Sequence, residues 1–279
     1  MRLSAVGVLC YVFFVCILLS LPGTVSGQVL GGHRPEATAP RDFGFLTAFR
    51  TTVDIKHLNG ADADTRFNWD ADLSIDVDVV DAGYFRGNLF INIETIIGNE
   101  FRAVDPNQNN YTADISVFIR LPKGELSTTF HHVSRHLADR ATDKSVSWNM
   151  FGVGYGNTFT LGNLNLDAGV RALWTVTRAG VDYDAQYGGY LKVIRPFNDR
   201  LALIGSVDGV SVRIDPFTRN RSGYEGGQLE GGLRIMTGVA TVDLLVGHER
   251  RIDATSTLRE LTELTRWTQF GIRLTTPIR

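Results

Sequence analysis

The stretch Phe67-Asn68-Trp69-Asp70-Ala71-Asp72-Leu73-Ser74-Ile75-Asp76-Val77-Asp78-Val79 alternates without a break. Phe67, Trp69, Ala71, Leu73, Ile75, Val77 and Val79 form one series. Asn68, Asp70, Asp72, Ser74, Asp76 and Asp78 form the other. Successive side chains of a β-strand point to opposite faces. The stretch therefore predicts a strand with one oily face and one strongly hydrated face.

The same two-residue rhythm runs on through the chain. Ala113, Ile115, Val117, Ile119 and Leu121 alternate with Asp114, Ser116 and Arg120. Leu89, Ile91 and Ile93 oppose Asn88, Asn92 and Glu94. Leu164, Leu166, Ala168, Val170, Ala172 and Trp174 oppose Asn165, Asp167 and Arg171. Twelve strands are predicted, near 44–57, 66–80, 84–97, 112–121, 125–136, 145–157, 161–176, 181–194, 200–213, 226–237, 240–249 and 265–275. A helical period is suggested only around 255–263, inside a connection.

The connections alternate in length. Short turns are expected at 81–83, 122–124, 158–160, 195–198 and 238. Longer ones are expected at 58–65, 98–111, 137–144, 178–180, 215–225 and 250–262. Short turns on one rim and longer loops on the other are the pattern of bacterial outer-membrane barrels. Backbone polar groups in lipid must find partners within the protein, so a spanning sheet has to close on itself. The predicted fold is thus all-β: a single antiparallel up-and-down transmembrane barrel of about twelve strands. Its even strand number puts both chain ends on the periplasmic side. Asp70, Asp72, Asp76 and Asp78 then line the lumen, where Arg86, Arg120 and Arg171 are available to neutralise acidic groups. About twelve strands leave a narrow interior filled by side chains. Trp69, Tyr84, Tyr155, Trp174 and Trp267 suit the aromatic girdles at the two interfaces.

The amino terminus reads as a cleavable signal peptide over 1–27. Arg2 supplies the positive end, an apolar run covers 5–21, and Val25 and Gly27 suit cleavage before Gln28. A polar periplasmic lead over 28–43 precedes the barrel, 44–279. Both cysteines, Cys10 and Cys16, fall in the signal, which leaves the mature chain no disulfide. The net charge of -2, with no long basic run, gives no footprint for nucleic acid.

One segment carries catalytic residue types: Phe130-His131-His132-Val133-Ser134-Arg135-His136-Leu137-Ala138-Asp139-Arg140, with three of the six histidines. His132, Ser134 and His136 share a strand face. A hairpin symmetric about its loop sets His132 opposite Asn149 and Ser134 opposite Ser147. Directly opposed residues have Cβ atoms about 4.5–5.5 Å apart. A serine needs a neighbouring base to become a nucleophile, and the base needs a third group to fix its tautomer. Ser134, His132 and Asn149 fit these roles on the lipid-facing wall, where ester bonds of phospholipid or lipopolysaccharide lie. The Ser134 amide is the expected oxyanion donor. Asp139 or Asp143 are alternative partners for the histidine and candidate calcium ligands, since that hard cation prefers carboxylate oxygen. His132, His136 and Asp139 are a candidate zinc set.

His132-Val133-Ser134 followed by Ser147-Trp148-Asn149 resembles the H-x-S … S-W-N pattern of outer membrane phospholipase A. It is similar also to lipid A 3-O-deacylases, which use H-x-S on a barrel exterior. Arg135 and His136 stand here where the phospholipases have Asn-Gly. The first resemblance implies a twelve-stranded barrel with Ser134, His132 and Asn149 as triad, membrane-lipid substrates, calcium dependence and a homodimer in the bacterial outer membrane. The run His132-x-Ser134-x-His136-Leu137-x-Asp139 resembles an uncharacterised family of envelope proteins with an H-x-S-S-H-L-G-D signature, which implies a barrel and no activity. A non-enzymatic structural or binding barrel, or a narrow channel, is the competing expectation.

Overall fold

Twelve alternating segments pair edge to edge in the computed structural model, which describes residues 38, 42–60, 66–138, 146–217, 223–252 and 264–276. They are β1 (Gly44–Asn59), β2 (Trp69–Asp81), β3 (Phe85–Gly98), β4 (Asp105–Arg120), β5 (Glu125–Leu137) and β6 (Val146–Leu161). The second half adds β7 (Leu164–Ala179), β8 (Tyr183–Pro196), β9 (Leu201–Ile214), β10 (Tyr224–Met236), β11 (Thr241–Ile252) and β12 (Leu264–Thr275). Each strand runs antiparallel to the next, and β12 pairs with β1 through Thr52↔Thr275 to Asn59↔Thr268. The sheet is a closed barrel with no free edge. Both ends of the described chain lie at the rim that carries the short turns.

The polarity is inside out. Leu73, Ile75, Ile91, Ile115, Phe151, Val153, Val170, Val246 and Ile272 are exposed on the outer wall, while Asp70, Asp76, Asn88, Glu94, Asp114 and Asp243 are buried within. An exposed apolar surface of this extent has no place in water. It suits hydrocarbon, which an outer-membrane barrel meets around its whole girth.

The acidic face of β2 is satisfied across the lumen. Arg86, fully buried, bridges Asp78 at 2.7 Å and Glu125 at 2.9 Å. Arg251 reaches Asp70 and Glu94, both at 2.9 Å, and Glu249 at 2.7 Å. Arg273 joins Asp54 to Glu230 at 2.7 and 2.8 Å. Arg120 holds Asp81 at 2.7 Å, and Arg171 stands 3.5 Å from Asp114. Thr38, in the lead, donates to Asp78 at 3.1 Å and accepts from Arg120 at 3.0 Å, which ties it to the short-turn mouth.

Several local expectations are corrected. β4 begins at Asp105, so the connection after β3 is much shorter than the expected 98–111. The run Asp105–Asn110 is polar almost throughout, and Asp105, Asn107, Gln108 and Asn110 are all buried. No alternation marks such a strand. The turn expected at 158–160 instead follows β6 at Gly162, whose φ is 61°. Glycine tolerates that left-handed conformation at no steric cost.

Phe67 precedes β2 and packs inward with Leu58, Ile96 and Trp267, so neither Phe67 nor Trp267 faces lipid. Beside them a larger apolar cluster fills the lumen at the long-connection rim: Val133, Val146, Trp148, Met150, Leu173, Tyr183, Val212 and Ile252 among others. The lumen therefore carries charged networks along its length and an apolar cluster at the long-connection rim. The expected signal segment 1–27, nearly all of the expected lead 28–43, Asp139, Asp143 and the stretch 255–263 lie outside the described residues.

Candidate active site

β5 and β6 form the hairpin that carries the candidate residues. His131, Val133 and Arg135 are buried in the lumen, so strand geometry turns Phe130, His132, Ser134 and His136 outward. On β6 the buried Val146, Trp148 and Met150 turn Ser147, Asn149 and Phe151 outward in the same way. The register sets His132 opposite Asn149 and Ser134 opposite Ser147.

His132 Nδ1 and Asn149 Oδ1 are 2.7 Å apart. The Asn149 amide nitrogen donates to Thr177 Oγ1, also at 2.7 Å. Oδ1 can only accept, so His132 carries its proton on Nδ1. That leaves a lone pair on Nε2, the tautomer a general base requires.

Ser134 is placed differently. Its hydroxyl lies 2.7 Å from His136 Nε2, two residues along the same strand. Among the described residues no hydrogen bond links Ser134 to His132. The His136 ring also meets the Tyr111 ring edge-on, with centroids 5.6 Å apart. The expected trio is thus brought onto one outward surface, with His132 joined to Asn149 and Ser134 turned the other way.

Ser134 sits inside two ladders, paired to Tyr111 on β4 and to Ser147 on β6. Its amide therefore points along the sheet to a neighbouring strand and not out of it. This corrects the expectation that it serves as the oxyanion donor. On β6 the side chain directly opposite is Ser147, which also faces outward.

The polar group extends sideways at the same height. Thr95 donates to Asn109 at 3.0 Å, and Asn109 is the partner of His136 across β4 and β5. Below it the wall is apolar, with Ile93, Ile115, Phe130, Phe151 and Trp174 exposed. The third histidine of the segment, His131, lies on the opposite face and bonds Asp114 at 2.5 Å inside the lumen.

Among the described residues the carboxylates close enough to share a cation are Asp70, Asp72 and Glu94. They face the lumen, and Arg251 already pairs with Asp70 and Glu94. They have no access to the outer wall. The calcium candidates Asp139 and Asp143, the former also in the zinc set, lie in the connection between β5 and β6, outside the described residues.

No protein-family model and no curated protein matches this chain. Solved structures do resemble it. An outer membrane channel from Pseudomonas putida F1 superposes with a TM-score of 0.52 at 11% identity, covering 92% of this chain and 99% of that one. The Salmonella typhi outer membrane phospholipase dimer with bound calcium gives 0.49 at 12% identity, over 92% and 99% of the two chains. Outer membrane phospholipase A from Escherichia coli gives 0.47 at 12%, over 85% and 93%. Likeness at these identities is one of fold: this chain is built as outer-membrane barrels are.

Proposed function

We propose that this barrel is an outer-membrane lipid acyl hydrolase, of phospholipase A or lipid A deacylase type. The observation that carries the reading is the His132–Asn149 bond on the lipid-facing wall, with Ser134 one step along the strand face. A hydrogen-bonded polar group facing lipid has a cost that function would justify. Its position close to the long-connection rim suits the acyl ester level of the outer leaflet.

In this reading Ser134 Oγ rotates about Cα–Cβ from His136 toward His132. Side chains two apart on one strand face are spaced about 6.6 Å, so Ser134 stands midway between the two imidazoles. Oγ attacks the acyl carbonyl carbon while His132 Nε2 takes its proton. His132 then gives that proton to the departing alcohol oxygen, which leaves an acyl group on Ser134. A water, deprotonated by the same Nε2, releases the fatty acid and restores the serine. Asn149 keeps the imidazole in the working tautomer and supports its charged form. Ser147 is positioned to donate to the carbonyl oxygen as negative charge develops there.

Calcium belongs to this proposal through the resemblance to outer membrane phospholipase A. Asp139 and Asp143 supply hard carboxylate oxygens on a connection that starts just past His136 and ends beside Val146. Bound there, the cation would add positive charge near the carbonyl oxygen. The same resemblance makes a homodimer the assembly we assign to it.

A non-enzymatic binding barrel is the second reading. The Ser134–His136 bond favours it, since that bond holds the hydroxyl away from the oriented base. The two part company on turnover. Mature protein refolded in detergent is given phospholipid or lipid A micelles with calcium, beside Ser134→Ala. Fatty-acid release that depends on Ser134 supports the hydrolase; equal release from both forms, or none, leaves the binding barrel.

A further inference from the structure

We infer that Thr177 is a positioning residue for the proposed hydrolase, anchoring the Asn149 amide against His132. The inference rests on that reading of the site and extends it by one residue. Two independent features of β7 carry it.

The first is a β-bulge. The β6–β7 ladder pairs Asn149 with Thr177 and then Met150 with Thr175, so Val176 is an extra residue. Up to that point β7 keeps a regular alternation, with Trp174 and Val176 exposed on the wall and Leu173 buried in the lumen. Unbroken alternation would turn Thr177 inward. The extra residue turns it outward, and Thr177 is exposed on the lipid face directly beside Asn149. Re-aiming one side chain is what a bulge achieves, and bulges are concentrated beside functional sites.

The second is the bond itself, Asn149 Nδ2 to Thr177 Oγ1 at 2.7 Å. A carboxamide has a donor end and an acceptor end of nearly the same shape. Thr177 accepts from the donor end, which anchors the amide with Oδ1 against His132. If the amide turned over, Nδ2 would face His132 Nδ1. That nitrogen would then have to accept, the ring proton would move to Nε2, and His132 could no longer take a proton from Ser134. Among the described residues the Asn149 amide has no other hydrogen-bond partner, and the wall below it is apolar, with Phe151 and Trp174 exposed. Thr177 thus acts through Asn149 and touches no reacting atom.

The test uses mature protein folded in detergent micelles with 15N-labelled histidine, His132 being assigned with His132→Gln. Wild type is expected to hold the proton on Nδ1 of His132. Thr177→Ala should shift His132 toward a mixture of tautomers and lower kcat between about tenfold and a hundredfold, with KM little changed. Thr177→Ser keeps the hydroxyl and should restore both readouts. An unchanged His132 tautomer in Thr177→Ala overturns the inference whatever the turnover. A Thr177→Ser variant that behaves like the alanine also overturns it, because the methyl group and not the hydroxyl would then matter. If the tautomer responds as expected while even wild type releases no fatty acid, the positioning role stands and only the hydrolase reading falls.

Discussion

The Ser134 hydroxyl is hydrogen-bonded to His136 Nε2 at 2.7 Å and not to His132, although the two histidines flank it at equal spacing on one strand face. Among the described residues no asparagine is hydrogen-bonded to His136, although Asn109 stands across from it, whereas His132 has Asn149 at 2.7 Å. The two imidazoles flank one hydroxyl, and only His132 is oriented by an asparagine. In the hydrolase reading the two removals have opposite effects. His132→Ala should lower fatty-acid release by about 10²–10⁴-fold, the usual loss of a general base. His136→Ala should raise it roughly two- to tenfold, the factor that a net hydrogen bond of about 0.5–1.5 kcal/mol corresponds to. A loss in His136→Ala with little change in His132→Ala would make His136 the base instead.

Arg251 is the cation shared by Asp70, Glu94 and Glu249 in the closed lumen. Arg251→Met keeps the bulk and strands three acidic groups. Breaking a buried pair from one side costs about 3–5 kcal/mol. The urea midpoint of the barrel refolded in liposomes should fall accordingly. A midpoint equal to wild type would mean that lumen water already satisfies those carboxylates.

The narrow-channel reading gives a conductance prediction. Asp72 accepts from Asn92 and Asp76 from Asn88, both at 2.7 Å, so these carboxylates are engaged in side-chain bonds. The rim above carries packed apolar side chains, with Trp148, Met150 and Leu173 fully buried. Wild type in planar bilayers should show no steady conductance. Open-channel current that changes with Asp72→Asn or Asp76→Asn would establish a channel.

Ile115, in the middle of β4, is 59% exposed on the outer wall. Ile115→Arg should destabilise the folded barrel by about 2–4 kcal/mol, the penalty of a cation at the bilayer midplane. The heat-modifiable folded band on gels, recovered from membranes, should weaken. An unaffected band would place that residue at an aqueous surface.

The strands were readable because lipid outside and charge inside impose the same two-residue rhythm on β2, β3 and β4. The His132–Asn149 register was readable because apolar parity on both strands and a symmetric hairpin agree on it. Three things were hidden. The Ser134 rotamer was hidden, since both neighbours at two-residue spacing are histidines. Thr177 was hidden because one extra residue, Val176, reverses the parity that Trp174 establishes. The apolar plug was hidden because Trp148 and Met150 face inward while Phe151 and Val153 face outward, so greasy residues on both faces blur the alternation.

Covalent labelling tests the claim on which the rest depends, that Ser134 is a nucleophile activated by His132 on the barrel's outer wall. Folded protein with calcium is exposed to a fluorophosphonate, which phosphonylates an activated serine and expels fluoride. The peptide carrying residue 134 is then weighed by mass spectrometry. The account predicts the added mass on Ser134 in wild type and its loss in His132→Ala. No label on Ser134 in the folded wild type, or equal label after His132 is removed, would contradict it.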